Sequence, residues 1–302
     1  MKTLGIDIGG SFIKFGIQSD DKILHHVSIA NTAKSIDQIE NIISTQLSTL
    51  LEQFDIESIG VGFPGTFNSE GVITSAPNIT YGESINIKDW FFNITKLPTF
   101  IQNDAYLAGF AESKINSLNE YYFVTLGTGV GSALVRDGQL IESKVGSSGE
   151  LGHIIINIAD EGSDYRTGIF EKYFSAEQFV VKASQDLKNF PNSILHSLDK
   201  FTVREISDAV NIGDDLAIIN FMEMGKILGI GLSSVANLTG IPIFVIGGGI
   251  SQVNNLLFET AVLEMRKRTI PELKNHIQIL KSKLYNEAGI LGAALYAKER
   301  IK

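Results

Sequence analysis

Short unbroken apolar runs alternate along this chain with longer stretches whose apolar residues recur three and four apart, the order of an α/β protein. The first thirty residues read as three strands, TLGIDIG, FIKFGIQ and ILHHVSIA. From Ser35 to Phe54 the apolar positions Ile36, Ile39, Ile42, Ile43, Leu47, Leu50 and Leu51 have helical spacing. SIGVGFPG predicts a buried strand that ends in a Pro-Gly turn. TFIQNDAYLAGFAES predicts strand, short turn and helix, with Asn103 and Asp104 at the join. A second set begins at Tyr121: YYFVTLGTGVGSALVRDGQLI reads as strand, glycine tip and strand, with Asp137-Gly138 as a tight hairpin signal. Helices are predicted over Ser175–Lys188, Thr202–Asn211, Asp214–Leu238, Asn254–Arg268 and Glu287–Arg300. Between the third and fourth of these, IPIFVIGGGIS predicts a buried strand ending in three glycines.

The two halves share a plan. LGIDIGGSFIKFGI and VTLGTGVGSALV are each an apolar strand, a glycine-rich tip and a second apolar strand, about a hundred residues apart. Internal similarity constrains a fold more than any single element does. Each tip is either a plain hairpin turn or an anion site. A tip without Cβ atoms lets backbone N–H groups approach an anion, and Gly9-Gly10-Ser11 and Gly127-Thr128-Gly129 each add a hydroxyl. Asp7 beside a phosphate makes sense as a ligand for Mg²⁺ or for water on Mg²⁺. Neither tip is a Walker loop, which ends in Gly-Lys-Ser/Thr. IGGGIS lacks the spacing of a dinucleotide fingerprint, so Gly247–Gly249 suits a base or ribose lying close to the backbone.

Composition narrows the classes. The 302 residues are 44% hydrophobic and 20% charged, which fits a globular protein of two domains or one large one. No apolar run reads as a membrane span, and no signal peptide is expected. A formal charge of −9 argues against nucleic acid as the partner. With no cysteine in the chain, disulfides, thiolate metal sites and a cysteine nucleophile are excluded, and a cytoplasmic location is expected.

Three further groups could carry chemistry. Asn103-Asp104 at a strand-to-helix join is either a helix cap or a general base held ionised by the helix start, able to take a proton from a hydroxyl during phosphoryl transfer. Glu150 and His153 in GSSGELGHIII would share a face if helical, although the flanking glycines predict a loop. Glu171 in GIFEKYFSAEQF reads by itself as an ordinary charge at a helix start.

Together these pieces resemble the ROK family of repressors and sugar kinases, within the hexokinase–actin fold, over nearly the whole chain. GIDIGGSFIKFGI resembles the first phosphate motif and GVGFPG the turn after it. NDA resembles the catalytic motif, TLGTGVG the second phosphate motif, and GELGH the sugar-binding signature. GIFEKYFS is similar to the Gly-Cys-x-Glu-x-Tyr segment with Ile169 at the cysteine, IFVIGGGIS to the adenosine motif, and EAGILGAALYA to the closing helix.

The resemblance implies two ribonuclease H-like α/β domains around a cleft, residues 1–108 plus 287–302 and residues 109–286. It implies Asp104 as the catalytic base. Gly65, Asn78, Asn103, Asp104, Glu150, His153 and Glu171 would bind sugar, and Asp7, Gly9, Gly10, Ser11, Gly127, Thr128, Gly129, Gly248 and Gly249 would bind ATP, with Mg²⁺ held by Asp7 through water. The expected activity is that of an ATP-dependent hexose kinase, glucokinase first, acting as a homodimer without nucleic-acid or membrane partners. N-acetylhexosamine kinase and fructokinase are the nearest alternatives. A non-catalytic sugar-binding regulator and an Hsp70- or actin-like ATPase module are the alternatives of other classes. Repressors of the family carry a winged helix-turn-helix before this region, and with the phosphate motif starting at Leu4 none is expected here. Members commonly bind a structural zinc through the signature histidine and three cysteines. The stretch GHIIINIADEGSDYRTGIFE has His153 but Gly162, Asp164 and Ile169 roughly where cysteines would be, so no structural zinc is expected and apolar packing by Ile154–Ile156, Ile169, Phe170 and Tyr173 is expected in its place.

Overall fold

The structure, a computed structural model, describes residues 2–10, 12–20, 22–33, 35–68, 71–75, 86–115, 118–143, 148–284 and 287–301. The chain forms two compact units. One comprises Met1–Asn119, Ala133–Gly149 and Lys283–Lys302, and the other Glu120–Ser132 and Glu150–Ser282.

The first unit is built on strands β1 (Thr3–Ile8), β2 (Phe12–Ser19), β3 (Lys22–Ala30), β4 (Ser58–Phe63) and, beyond a small pair formed by β5 (Thr66–Phe67) and β6 (Ile73–Ser75), β7 (Thr99–Asn103). The sheet order is β3-β2-β1-β4-β7. The first three strands are antiparallel neighbours, and β1, β4 and β7 run parallel. Every residue of β4 is buried, as a central parallel strand covered on both faces requires. The predicted helix appears at Ile36–Gln53, capped by the Ser35 side chain, and Ile39, Ile43, Leu47 and Leu50 enter the core. The last helix, Ala288–Arg300, lies backbone-on-backbone against the sheet. A Cβ on Gly5 would stand 1.9 Å from the Ile290 carbonyl oxygen, and one on Gly60 1.8 Å from that of Ala293. The glycines of β1 and β4 are therefore the contact surface of this helix, and only their lack of a side chain permits so close an approach.

The second unit carries the sheet of β8 (Tyr121–Leu126), β9 (Val130–Arg136), β10 (Gln139–Leu140), β11 (Ile243–Gly247) and β12 (Gln278–Lys281), in the order β10-β9-β8-β11-β12. The division between the units falls within β9. Numbered in chain order within each sheet, both sheets read 3-2-1-4-5, the repetition that the two glycine-tipped hairpins signalled. The Asp137-Gly138 signal is also met: both residues have positive φ, 53° and 69°, as a two-residue hairpin turn of type I′ needs. Helices Ala176–Asp186, Val203–Asn211 and Asp215–Thr239 begin at side-chain caps on Ser175, Thr202 and Asp214. A chain of buried rings runs through this unit: Phe170 to Phe174 at 5.5 Å between centroids, Phe174 to Phe179 at 5.6 Å and Phe179 to Phe221 at 5.4 Å.

Three features depart from the expectations. The helix Ile87–Thr95 and strand β12 were not anticipated, because neither has a long enough periodic apolar pattern. Asp215–Thr239 is long and apolar enough, by length and composition, to cross a membrane, although the sequence reading found no such run. Of its most apolar 18-residue window 61% is buried inside the protein, as in a core helix. Finally, the segment expected to pack where cysteines are missing does so only in part. Ile169 and Phe170 are buried, but Ile155 is 68% exposed. The segment is held instead by the ring chain above and by hydrogen bonds: Phe170 N–H to the Ile154 carbonyl, Gly168 N–H to the Asp160 carboxylate and Arg166 N–H to the Asp164 carboxylate.

Candidate active site

Within the first unit the parallel strands end at the candidate residues. Asp7 is the penultimate residue of β1 and pairs in register with Gly62 of β4, which pairs with Gln102 of β7. Asp104 opens the helix Asp104–Ile115 directly after β7. Asp7 and the residue two before Asp104 thus stand two strand spacings apart, about 10 Å between backbones, with Gly62 between them. Beyond β1 the chain turns through Gly9 and Gly10. The Gly9 N–H donates to the Phe12 carbonyl at 2.9 Å, and the Asn31 side chain donates to the Gly9 carbonyl at 2.8 Å, so the tip has a fixed shape while Gly10 faces open space. Ser11 and Asn78 lie outside the described residues.

Asn103 and Asp104 make different hydrogen bonds. Asn103 is the cap. Its Oδ1 accepts from Ala105 N–H at 2.9 Å and Tyr106 N–H at 3.3 Å, and its Nδ2 donates to the Gly65 carbonyl at 3.1 Å. Asp104 is the first helical residue, and its Oδ1 accepts from Ala105 N–H at 2.8 Å. Its Oδ2 has no hydrogen-bond partner among the described residues, which leaves one carboxylate oxygen for a proton. Burial raises the Asp104 pKa above the ordinary carboxylate value, and the N–H groups of Ala105 and Asp104 itself pull the other way. Burial also pushes Asp7 up to about 6, with the charge of Asp104 adding to the rise and Lys14 opposing it. Lys14 Nζ stands 3.9 Å from Asp7 Oδ2. A Cβ on Gly289, in the first turn of the last helix, would meet Asp7 Oδ2 at 2.7 Å, so the Asp7 carboxylate lies against a helix N-terminus, which favours negative charge.

Within the second unit the other tip closes through Gly127 N–H to the Gly129 carbonyl at 3.0 Å, and the Gly127 carbonyl accepts from Ala176 N–H at 2.8 Å. A cavity of about 820 Å³ opens beside it, lined by Gly127, Thr128, Val180, Phe201, Arg204 and Gly249 among others. Its size suits a drug-sized or nucleotide ligand. Gly248, next to the lining residue Gly249, has φ 78°, and its would-be Cβ stands 2.4 Å from the Leu126 carbonyl oxygen. Phe201, Arg204 and Val180 could not be found from the sequence, because no motif marks a cavity wall assembled from four separate segments.

Glu150 precedes a single 3₁₀ turn, Leu151–His153, in place of the expected loop. Its i, i+3 partner His153 is exposed, with its ring stacked on Tyr165 at 5.9 Å. The Leu151 N–H donates to Ser132 Oγ at 2.8 Å, which fastens this turn to β9. Glu171 is not an isolated surface charge. Its Oε2 accepts from Val130 N–H at 2.7 Å, just beyond the glycine tip, and its Oε1 receives Arg166 Nη2 at 2.7 Å.

The sequence model of the ROK family matches residues 3–300. The chain belongs to the ROK family. It is 27% identical over 314 residues to a glucokinase of Thermotoga maritima, covering 100% of this chain and 98% of that one. It is 25% identical over 304 residues to a xylose repressor of Bacillus spizizenii, covering 96% of this chain and 75% of the repressor. Among solved structures, a ROK family glucokinase from Streptomyces griseus in complex with glucose and AMPPNP superposes with a TM-score of 0.85 at 28% identity, covering 99% of this chain and 100% of that one. The fold is therefore that of the ROK hexokinases, of the actin-like ATPase class, and the kinship supports a sugar kinase.

Two groups associated with the family can be tested against the residues present. Mg²⁺ in phosphoryl transfer is commonly held by one or two carboxylates with substrate phosphates and water, and Asp7 beside an open glycine tip fits that. Zinc does not fit. Three cysteine positions of the expected ligand set hold Gly162, Asp164 and Ile169, Asp160 and Asp164 each commit one carboxylate oxygen to a backbone N–H, and no group of three or more His, Cys, Asp or Glu suited to a metal occurs among the described residues.

Proposed function

We propose that the chain is an ATP-dependent hexose kinase, glucokinase first, in which Asp104 is the general base. The observation that carries this reading is the division of labour at the NDA turn. Asn103 performs the capping, so Asp104 is spared for chemistry, with one oxygen open and a pKa raised above the ordinary carboxylate value by burial. A base works best when its pKa approaches the working pH. Asp104 would accept the proton of the sugar 6-hydroxyl as that oxygen attacks the γ-phosphorus. Asn103, Gly65, Glu150, His153 and Glu171 would hold the remaining hydroxyls, since carboxylate and amide groups can accept from or donate to vicinal oxygens. The backbone N–H groups of Gly9–Gly10 and Gly127–Gly129 would orient the phosphates, and the cavity beside Gly249 would take the nucleoside. Mg²⁺ bound through water at Asp7 would neutralise phosphate charge. The same reading carries a cytoplasmic homodimer, which light scattering after size exclusion tests.

A coupled assay of ADP release over a panel of hexoses and N-acetylhexosamines, with ATP and with polyphosphate, decides among the alternatives. Sugar-dependent ADP release with a preference for glucose is expected. ADP release without sugar would indicate an ATPase module instead. Sugar binding without turnover would indicate a regulator, as the likeness to a repressor allows. Preference for another sugar would reassign the substrate.

A further inference from the structure

The second unit holds an ion pair whose arginine none of the proposed roles uses. Arg166 Nη2 lies 2.7 Å from Glu171 Oε1, with the two side chains only 32% and 19% exposed. The other oxygen of the same carboxylate accepts from Val130 N–H at 2.7 Å. A Cβ on Gly129 would stand 2.5 Å from that oxygen, so the glycine leaves the space the carboxylate fills. Three independent features therefore point to one position for one carboxylate: a donor at the tip, a gap at the tip and a guanidinium behind it.

Arg166 is itself held in place. Its own N–H donates to the Asp164 carboxylate at 2.7 Å, and the following Thr167 N–H donates to the Asp164 carbonyl at 3.2 Å. Glu171 is fixed from the opposite side, since Phe170 beside it is fully buried in the ring chain. Both ends of the ion pair thus rise from anchored backbone. Charge explains why the pair is needed. A lone carboxylate beside a tip that receives phosphate would repel it and would be drawn toward solvent. A guanidinium neutralises it and supplies a directed donor.

We propose that Arg166 is a positioning residue: its guanidinium clamps the Glu171 carboxylate onto the Gly129–Val130 backbone, so that the sugar-directed acid and the phosphate-directed tip form one rigid piece. The inference rests on the assignment of Glu171 to the sugar, and it extends that assignment to a residue that does not touch substrate. A charge-assisted hydrogen bond contributes more than a neutral one. Its loss should let the carboxylate swing away and cost the sugar a correctly placed acceptor. Lysine keeps the charge but not the planar fork, so it should restore only part of the effect.

The test uses the full chain with Arg166→Gln and Arg166→Lys. In the free protein, without any ligand, hydrogen exchange at the Gly129 and Val130 amides should rise at least about tenfold in Arg166→Gln, and less in Arg166→Lys. The sugar KM should rise about tenfold in Arg166→Gln, with the ATP KM moving far less, the melting temperature nearly unchanged and Arg166→Lys intermediate. Unchanged exchange overturns the clamp. An ATP KM that rises more than the sugar KM overturns the link to the sugar and assigns the pair to phosphate charge alone. Arg166→Lys as defective as Arg166→Gln, with both melting early, reduces Arg166 to a structural support and also overturns the proposal. Should Arg166→Gln not fold, the wild type serves. Raising salt from about 0.05 to 1 M screens a partly exposed pair and should speed exchange at Val130, and a flat response refutes the clamp. A wild type that phosphorylates no sugar defeats the kinase assignment, and the exchange data then judge the clamp by themselves.

Discussion

Replacing Asp7 with Asn should stabilise the protein while removing its activity. The Asp7 side chain is 18% exposed, and burial together with the charge of Asp104 lifts its pKa from 3.8 to about 6. The folded state therefore binds this proton more tightly than the unfolded chain does. The sign follows by linkage: the stabilising contribution of the protonated form is complete below about pH 3.8 and is lost as pH rises through about 6. At pH 7.5 the ionised side chain opposes folding by on the order of 2–3 kcal/mol. Asn is similar in shape and carries no charge. The Lys14 contact, a 3.9 Å, partly exposed pair, already lowers this pKa and so needs no separate subtraction. A net gain on the order of 2 kcal/mol is expected, seen as a rise of a few degrees in melting temperature. Thermal melts of both proteins by circular dichroism from pH 4 to 8 provide the assay. The gap should be widest above pH 7 and close toward pH 4. A variant no more stable than wild type at pH 7.5, or a gap that ignores pH, would refute the reasoning. Loss of ATP-dependent turnover with the gain in stability would mark Asp7 as a group kept for function at the expense of stability.

Two further perturbations probe the frame around the site. Gly60→Ala places a Cβ 1.8 Å from the Ala293 carbonyl oxygen, so the last helix must lift from the sheet; chemical denaturation should show a loss of at least about 1–3 kcal/mol, and a neutral result would mean that the backbone contact is not as close as described. Protein purified without added metal should contain well under one zinc per chain by elemental analysis, and chelation followed by Mg²⁺ should leave melting temperature and activity intact; stoichiometric zinc whose removal unfolds the chain would contradict the hydrogen-bonded closure through Asp160 and Asp164.

What the sequence disclosed depended on whether a function needs its residues adjacent in the chain. The strands and glycine tips at Asp7–Gly10 and Gly127–Gly129 were legible because period-two apolar runs and glycine interruptions are local signals. The likeness of the two halves was legible for the same reason, while the strand order within each sheet depends on parallel pairings between distant segments. The Asn103–Asp104 step was visible as a pair but ambiguous, since a cap and a base use the same residue types. Only the hydrogen bonds of Asn103 to Ala105 and Tyr106 separate them. Asn31 under the first tip, Arg204 in the cavity wall and Gly289 against Asp7 act through space and leave no local pattern. Ile155 was expected inside because it is apolar, but it meets Ile169 through a backbone bridge and its side chain stays 68% exposed. Taken by itself Glu171 read as an ordinary charge for a similar reason, and only the family resemblance marked it: its partners lie 5 and 41 residues away.

The central claim, that Asp104 takes the proton during phosphoryl transfer, is tested most directly by kcat of Asp104→Asn on the best hexose, measured at saturating sugar and ATP. Asn103 continues to cap the helix and Asn at 104 keeps the shape of the side chain, so fold and sugar binding should hold. The account predicts that kcat falls about 100- to 10,000-fold, with the sugar dissociation constant changed little. A variant that keeps a tenth or more of the wild-type kcat would contradict it.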